Sequence, residues 1–191
     1  MKPWLLNILA CPIDKHHPLE AYFFRWETPE EKIKEIAADA GLPSPDIKLR
    51  HEQLAKQLID GTVSPAAIKN IVDKSGSTSA SGLLAVTIDT LHRIEKIPDK
   101  CEEDLLKDND QDLDALDRFF NRIELDAGLL VCPECGRWYP IGSAVETIPE
   151  MLPDDLREEE RDLDWLEKWR ELIPPQVLES GRPFNLSGKK E

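Results

Sequence analysis

The chain has 191 residues, with 38 Asp and Glu against 24 Lys and Arg, and a formal net charge of −14. That balance argues against direct binding of nucleic acid, because such affinity comes from cationic side chains displacing the counterions of phosphates. A hydrophobic content of 40% is enough for at least one core, and no apolar run is long enough to span a bilayer.

Four cysteines, two of them in one Cys-x-x-Cys with no secretory signal ahead, fit a reducing compartment, and the expected location is cytoplasmic. Near the start, Leu5, Leu6, Ile8 and Leu9 predict a short helix with too many apolar residues for a solvated face. It runs into Cys11-Pro-Ile-Asp14-Lys-His16-His17. Cysteine and histidine at a turn are zinc-ligand chemistry. Asp14 stands three residues after Cys11, where the second cysteine of a zinc knuckle belongs, and is an alternative oxygen ligand to His16. Read alone, Cys11 also suits a small buried hydrophobe.

Residues 19–26 predict a strand, and the consecutive Tyr22, Phe23 and Phe24 fit one covered on both faces. From Glu27 the composition turns helical. Thr28 as cap, Pro29 and two acids open a first helix through Ile33, Ile36, Ala37 and Ala40 to a stop at Gly41. Residues 46–59 predict a second helix. Ser64-Pro65 opens a third through Ile68, Ile71 and Val72, residues 83–97 follow a flexible Ser/Gly stretch as a fourth, and Leu113, Leu116, Phe119 and Phe120 mark a fifth. Between the last two, Cys101 reads as an incidental thiol in an acidic linker. Asp108-x-Asp110-x-Asp112 begins like a calcium loop, but Leu113 and Phe119 stand where that loop needs Gly and Glu.

A hairpin is expected next, with strands at 122–126 and 129–131 joined by a turn at Ala127-Gly128. It leads into Cys132-Pro-Glu-Cys135-Gly136, a knuckle in which two intervening residues let both sulfurs face one concavity and Gly136 supplies a positive φ. Trp138, Tyr139 and Ile141 leave it as a short strand. Residues 148–153, bracketed by Pro149 and Pro153, read as an edge or extended arm whose Met151 and Leu152 suit a protein contact. An acidic helix over 154–172 carries Leu156, Leu163, Trp165, Leu166 and Trp169 and stops at Pro174-Pro175, before a polar, poorly ordered tail.

Cys11, His16, Cys132 and Cys135 together form a Cys3His set contributed by two strand-associated turns. A closed set of four protein ligands would make the metal structural. The expected architecture is α+β, with both chain ends forming a zinc-ribbon-like small sheet domain and an all-helical domain inserted in it. The boundaries are residues 1–26 plus 122–153, 27–121, and 154–191 for the acidic helix and tail. No nucleophile–base pair or glycine-rich phosphate loop is present in the sequence, so the chain reads as a binding module and not an enzyme.

Leu5-Leu-Asn-Ile-Leu-Ala-Cys11-Pro12, Leu130-Val-Cys-Pro-Glu-Cys-Gly-Arg-Trp-Tyr-Pro-Ile141 and Ile148-Pro-Glu-Met-Leu-Pro153 resemble the multifunctional methyltransferase subunit family. These are small zinc-ribbon partners of tRNA, ribosomal-RNA and release-factor methyltransferases. The resemblance covers the two chain ends and is archaeal-like in Cys-Pro-x-Asp-Lys-His. It implies a non-catalytic subunit that forms a heterodimer with a class I methyltransferase, stabilises it and promotes S-adenosylmethionine binding by that partner, not by this chain. It also implies that Cys11, Cys132 and Cys135 are zinc ligands and that His16 stands for the second cysteine of eukaryotic members. Partner binding is assigned to Leu5, Leu6, Leu9, Pro149, Met151, Leu152 and Pro153. The competing expectation is a zinc-ribbon protein that contacts RNA or the transcription or translation machinery directly.

Overall fold

A computed structural model of the chain describes residues 1–39 and 45–187. The expected first-helix end at Ala40 and Gly41 and the terminal Lys189-Lys190-Glu191 lie outside the described residues. Pro3–Asn7 forms a 3-10 turn with proline in its first positions, in place of the expected short helix. Strand β1 (Glu20–Trp26) follows, then α1 (Glu30–Ala38), α2 (Pro45–Ile59), the single turn α3 (Pro65–Ile68), β2 (Ile71–Asp73) and α4 (Thr78–Glu95). Next come α5 (Glu102–Asp108), α6 (Asp110–Asp117) with a π turn at Arg118–Arg122, β3 (Leu125–Val131), β4 (Trp138–Ile141), α7 (Glu159–Lys168) and α8 (Pro175–Ser180).

The fold is α+β, built on one four-stranded sheet in the order β2-β1-β3-β4. β2 runs parallel to β1, and the other neighbours are antiparallel. The pairing of β1 with β3, through Ala21 with Leu130 and Phe23 with Gly128, joins the start of the chain to its later part across the helices. The Pro149 arm extends the other side: it bridges Ile141, and Glu150 N–H donates to Pro140 O at 2.9 Å. The edge of β4 is thereby covered.

Several local expectations are corrected. Residues 27–121 are not all-helical, since Ile71 and Val72 belong to β2; β-branched residues beside the open edge of β1 gain more from a ladder than from a second helical turn. Ala127-Gly128 makes no turn, because β3 runs through it. A Cβ on Gly128 would lie 2.7 Å from Tyr22 O, so the glycine permits close strand approach. The fourth helix starts earlier than expected, where Ser77 Oγ accepts the N–H of Ala80 at 3.0 Å. Thr28 caps no helix; its hydroxyl instead accepts the N–H of Glu124 at 2.8 Å. The acidic linker is largely helical, in α5 and α6, and Cys101 Sγ accepts the N–H of Asp104 at the start of α5.

Two apolar layers enclose the sheet. Phe23, Leu130, Tyr139 and Ile141 face a core shared with the 3-10 turn and the helices, including Leu6, Ile33, Ile68, Leu91 and Phe119. Phe24, Leu129, Val131 and Trp138 face the opposite way, against Trp165, Leu166, Ile173, Val177 and Leu186. Adjacent Phe23 and Phe24 thus enter different cores, as their succession in a pleated strand requires. The region beyond Pro174-Pro175 is therefore no loose tail as far as Ser187. Pro175 opens α8, and Val177 and Leu186 bury against the sheet. Within that layer the Trp138 and Trp165 rings stack at 6.0 Å, with the Arg157 guanidinium 4.6 Å from the Trp138 ring centroid.

Candidate metal centre

Two loops of the same construction meet at one end of the sheet. In the first, Cys11 N–H donates to His16 O at 2.9 Å, Lys15 N–H donates to Cys11 O at 2.9 Å, and Lys15 takes φ 63°. In the second, Cys132 N–H donates to Arg137 O at 2.8 Å, Gly136 N–H donates to Cys132 O at 3.0 Å, and Gly136 takes φ 69°. One turn is built twice, with cysteine at its first place and the left-handed residue at its fifth. The fourth place is Cys135 in one copy and Asp14 in the other. His16 occupies the position of Arg137, one step beyond the left-handed residue.

The sulfurs of Cys11, Cys132 and Cys135 and one carboxylate oxygen of Asp14 all lie within 4.8 Å of one another. Cys11 Sγ is 3.8 Å from Cys135 Sγ, and Asp14 Oδ2 is 3.4 Å from Cys132 Sγ. A tetrahedron with zinc–sulfur bonds of about 2.3 Å and a zinc–oxygen bond of about 2.0 Å has edges of about 3.8 Å and about 3.5 Å, so the donor types fit zinc and these two separations match its edges. His16 is not in this group. The spacing of Cys11 and His16 was compatible with ligation, but the turn uses the histidine backbone on both sides, and its fourth position brings Asp14 inward instead. The Nδ1 of His17 is 3.0 Å from Leu9 O.

Cys11 and Cys132 are buried, Cys135 is half-buried and Asp14 is exposed. The N–H of His16, donating to Asp14 Oδ1 at 3.0 Å, and then the Cys11 thiol hold the Asp14 carboxyl well below the ordinary carboxylate range. Burial dominates at Cys132 and pushes its thiol up to about 12. A buried thiol of that kind becomes a thiolate when a divalent cation supplies the compensating charge. Beside the second loop, Arg137 grips Asp154 through Nε at 3.0 Å and Nη2 at 2.8 Å. That carboxylate raises the Arg137 pKa further, with a smaller contribution from Cys135, while Arg137 holds Asp154 below its ordinary value.

Leu6, expected at a partner surface, is buried in the main core, and Leu5, Leu9 and Met151 pack half-buried against it. Pro149, Leu152 and Pro153 are half-buried on the arm. The exposed apolar residues near them in the sequence are Ile8, Ile13, Val145, Ile148 and Leu156. Cys101 is exposed and stands outside the cluster. Sequence reading did not single out Arg137 as a neighbour of the site; its place directly after the positive-φ glycine was the available signal.

The family model described as Trm112p-like protein matches residues 2–142. The chain belongs to the Trm112p-like family. No curated protein sequence gives a significant match. The Trm112p-like match contains both loops, all four strands and every helix up to the π turn, and it ends one residue after β4. Members of this family are small activator subunits of methyltransferases. The layer formed by α7 and α8 lies outside the match. Among the described residues no helix is long and apolar enough to cross a membrane.

Proposed function

We propose that this protein is a non-catalytic activating and stabilising subunit of S-adenosylmethionine-dependent methyltransferases that act on tRNA, ribosomal RNA or a release factor. The observation that carries this reading is the pair of matched loops, placing three cysteines and Asp14 at zinc spacing, inside the segment matched by the Trm112p-like family. The metal ligands in this reading are Cys11, Asp14, Cys132 and Cys135. Zinc would draw both loops together and neutralise the thiolates. With four protein ligands the ion serves structure, leaving no position for substrate.

The unit so held is zinc-ribbon-like and formed by residues 1–26 and 122–153, with 27–121 inserted and 154–191 following as the acidic helix and tail. Its docking surface comprises Leu5, Leu9, Pro149, Met151, Leu152 and Pro153, with Leu6 supporting them from the core. The partner is a class I methyltransferase catalytic subunit in a cytoplasmic heterodimer. That subunit binds S-adenosylmethionine, and its apolar surface is covered here. Affinity capture of the full chain from its native cells, read by mass spectrometry, tests the assignment. A methyltransferase recovered in near-equal amount, and poorly soluble or unable to bind S-adenosylmethionine alone, is the expected result. Recovery of the chain by itself, with no methyltransferase stabilised by it, would overturn it.

A further inference from the structure

We infer that Tyr139 is a positioning residue of the metal centre, whose hydroxyl holds the Cys11 thiolate. This rests on the reading that Cys11, Asp14, Cys132 and Cys135 bind zinc. Tyr139 lies on β4 opposite Leu130, and the alternation of the strand sends its ring into the main core while Trp138 faces the other layer. The residue is 1% exposed, and its Oη lies 3.1 Å from Cys11 Sγ. Among the described residues this sulfur is the hydroxyl's only hydrogen-bond partner.

A buried tyrosine hydroxyl without a partner costs free energy, and the Cys11 sulfur satisfies it in the metal-free protein, where either atom can donate and the net gain over a phenylalanine is small. Ligation changes the contact. A Cys11 sulfur ionised on a metal has no proton to give, and the tyrosine becomes the obligatory donor. Burial strips that thiolate of water, and the O–H supplies a directed replacement. Cys132 has no hydroxyl beside it among the described residues; its sulfur faces the two carboxylate oxygens of Asp14, at 3.6 and 3.4 Å. The hydroxyl therefore serves the loop that has a carboxylate in place of a second cysteine. It also fixes the direction from which the Cys11 sulfur meets the ion.

Tyr139→Phe keeps the ring and removes the donor. Zinc affinity is measured in the full chain by competition with a chromogenic chelator, and cobalt(II) is loaded in parallel to read its thiolate charge-transfer band. The expected result is zinc binding weakened about 10- to 100-fold with an altered band, while metal-free Tyr139→Phe melts close to metal-free wild type. Zinc affinity and band unchanged from wild type would overturn this inference alone. A wild-type chain that takes up no zinc or cobalt, like a Cys132→Ser control, would overturn the metal reading and this inference with it. A variant destabilised equally with and without metal, its affinity intact, would make the contact a packing feature and also overturn the inference.

Discussion

Asp162→Ala tests how the α7–α8 layer is fastened to the sheet. Arg157 and Asp162 are both 0% exposed at their side chains. Arg157 Nε donates to Asp162 at 2.7 Å, its Nη1 donates to Trp138 O at 2.8 Å, and its guanidinium lies over the Trp138 ring. Removing the carboxylate leaves a buried cation with one carbonyl and a ring for compensation. A charge stranded in this way costs about 3–5 kcal/mol, against about 0–1 kcal/mol for an exposed pair. For a chain of this size that loss corresponds to a melting-point drop of about 6–20 °C. Urea unfolding followed by far-ultraviolet circular dichroism and tryptophan fluorescence reads it, since Trp138 and Trp165 lie in the affected layer. The double replacement Arg157→Met with Asp162→Leu should recover most of the loss, because nothing charged is then left buried. A loss below about 1 kcal/mol for Asp162→Ala would show that water reaches Arg157, and the argument from burial would fail.

Three further outcomes are expected. Gly128→Val, whose Cβ would meet Tyr22 O at 2.7 Å, forces β1 and β3 apart and should cost at least about 2 kcal/mol in the same urea assay. Asp14→Ala should weaken zinc binding by more than about 100-fold in chelator competition, while His16→Ala leaves it within about 3-fold of wild type. The Glu30 carboxyl accepts from the hydroxyls of Ser77 and Ser79, which hold its pKa below the ordinary value. Its folded pKa is depressed, so the stabilisation is present above the unfolded pKa and lost as pH falls through the folded one. Glu30→Gln should therefore flatten the acid side of the melting-point profile, measured between about pH 6 and pH 3.

Much of the site was readable because its chemistry is local. Cys132-x-x-Cys135-Gly136 specifies its own turn, and Cys11 with Asp14 repeats the spacing, so the choice between Asp14 and His16 was open at the sequence level and became a matter of placement. The turn itself brings Asp14 inward and uses the His16 backbone; what is non-local is the assembly of the cluster, because β1 pairs with β3 and sets the two loops side by side. The same holds for the fold. Helices with a clear apolar period, such as α2, appear where the pattern puts them. Gly128 looked like a turn because a glycine required by a neighbouring strand is indistinguishable, within its own segment, from one required by a positive φ. Ile71 and Val72 continued a helical period, and only the open edge of β1 makes them a strand.

The second core explains why the end of the chain was misjudged. Trp165 and Leu166 were visible as an apolar stripe, but residues 173–186 looked polar because their apolar members are widely spaced. Ile173, Val177 and Leu186 bury singly, each against a sheet face that already holds Phe24, Leu129 and Trp138. This layer also fastens the second loop. Arg182 N–H donates to Gly136 O at 3.0 Å, Trp138 N–H donates to Arg182 O at 3.1 Å, and Asp154 holds the Arg137 side chain. The loop with Cys132 and Cys135 is therefore fixed from behind by residues outside the family match, whereas the loop with Cys11 and Asp14 is held from within it, by its own turn, the His17 contact with Leu9, the burial of Cys11 in the main core and the Tyr139 hydroxyl. The two halves of the centre are alike in backbone and unequal in support.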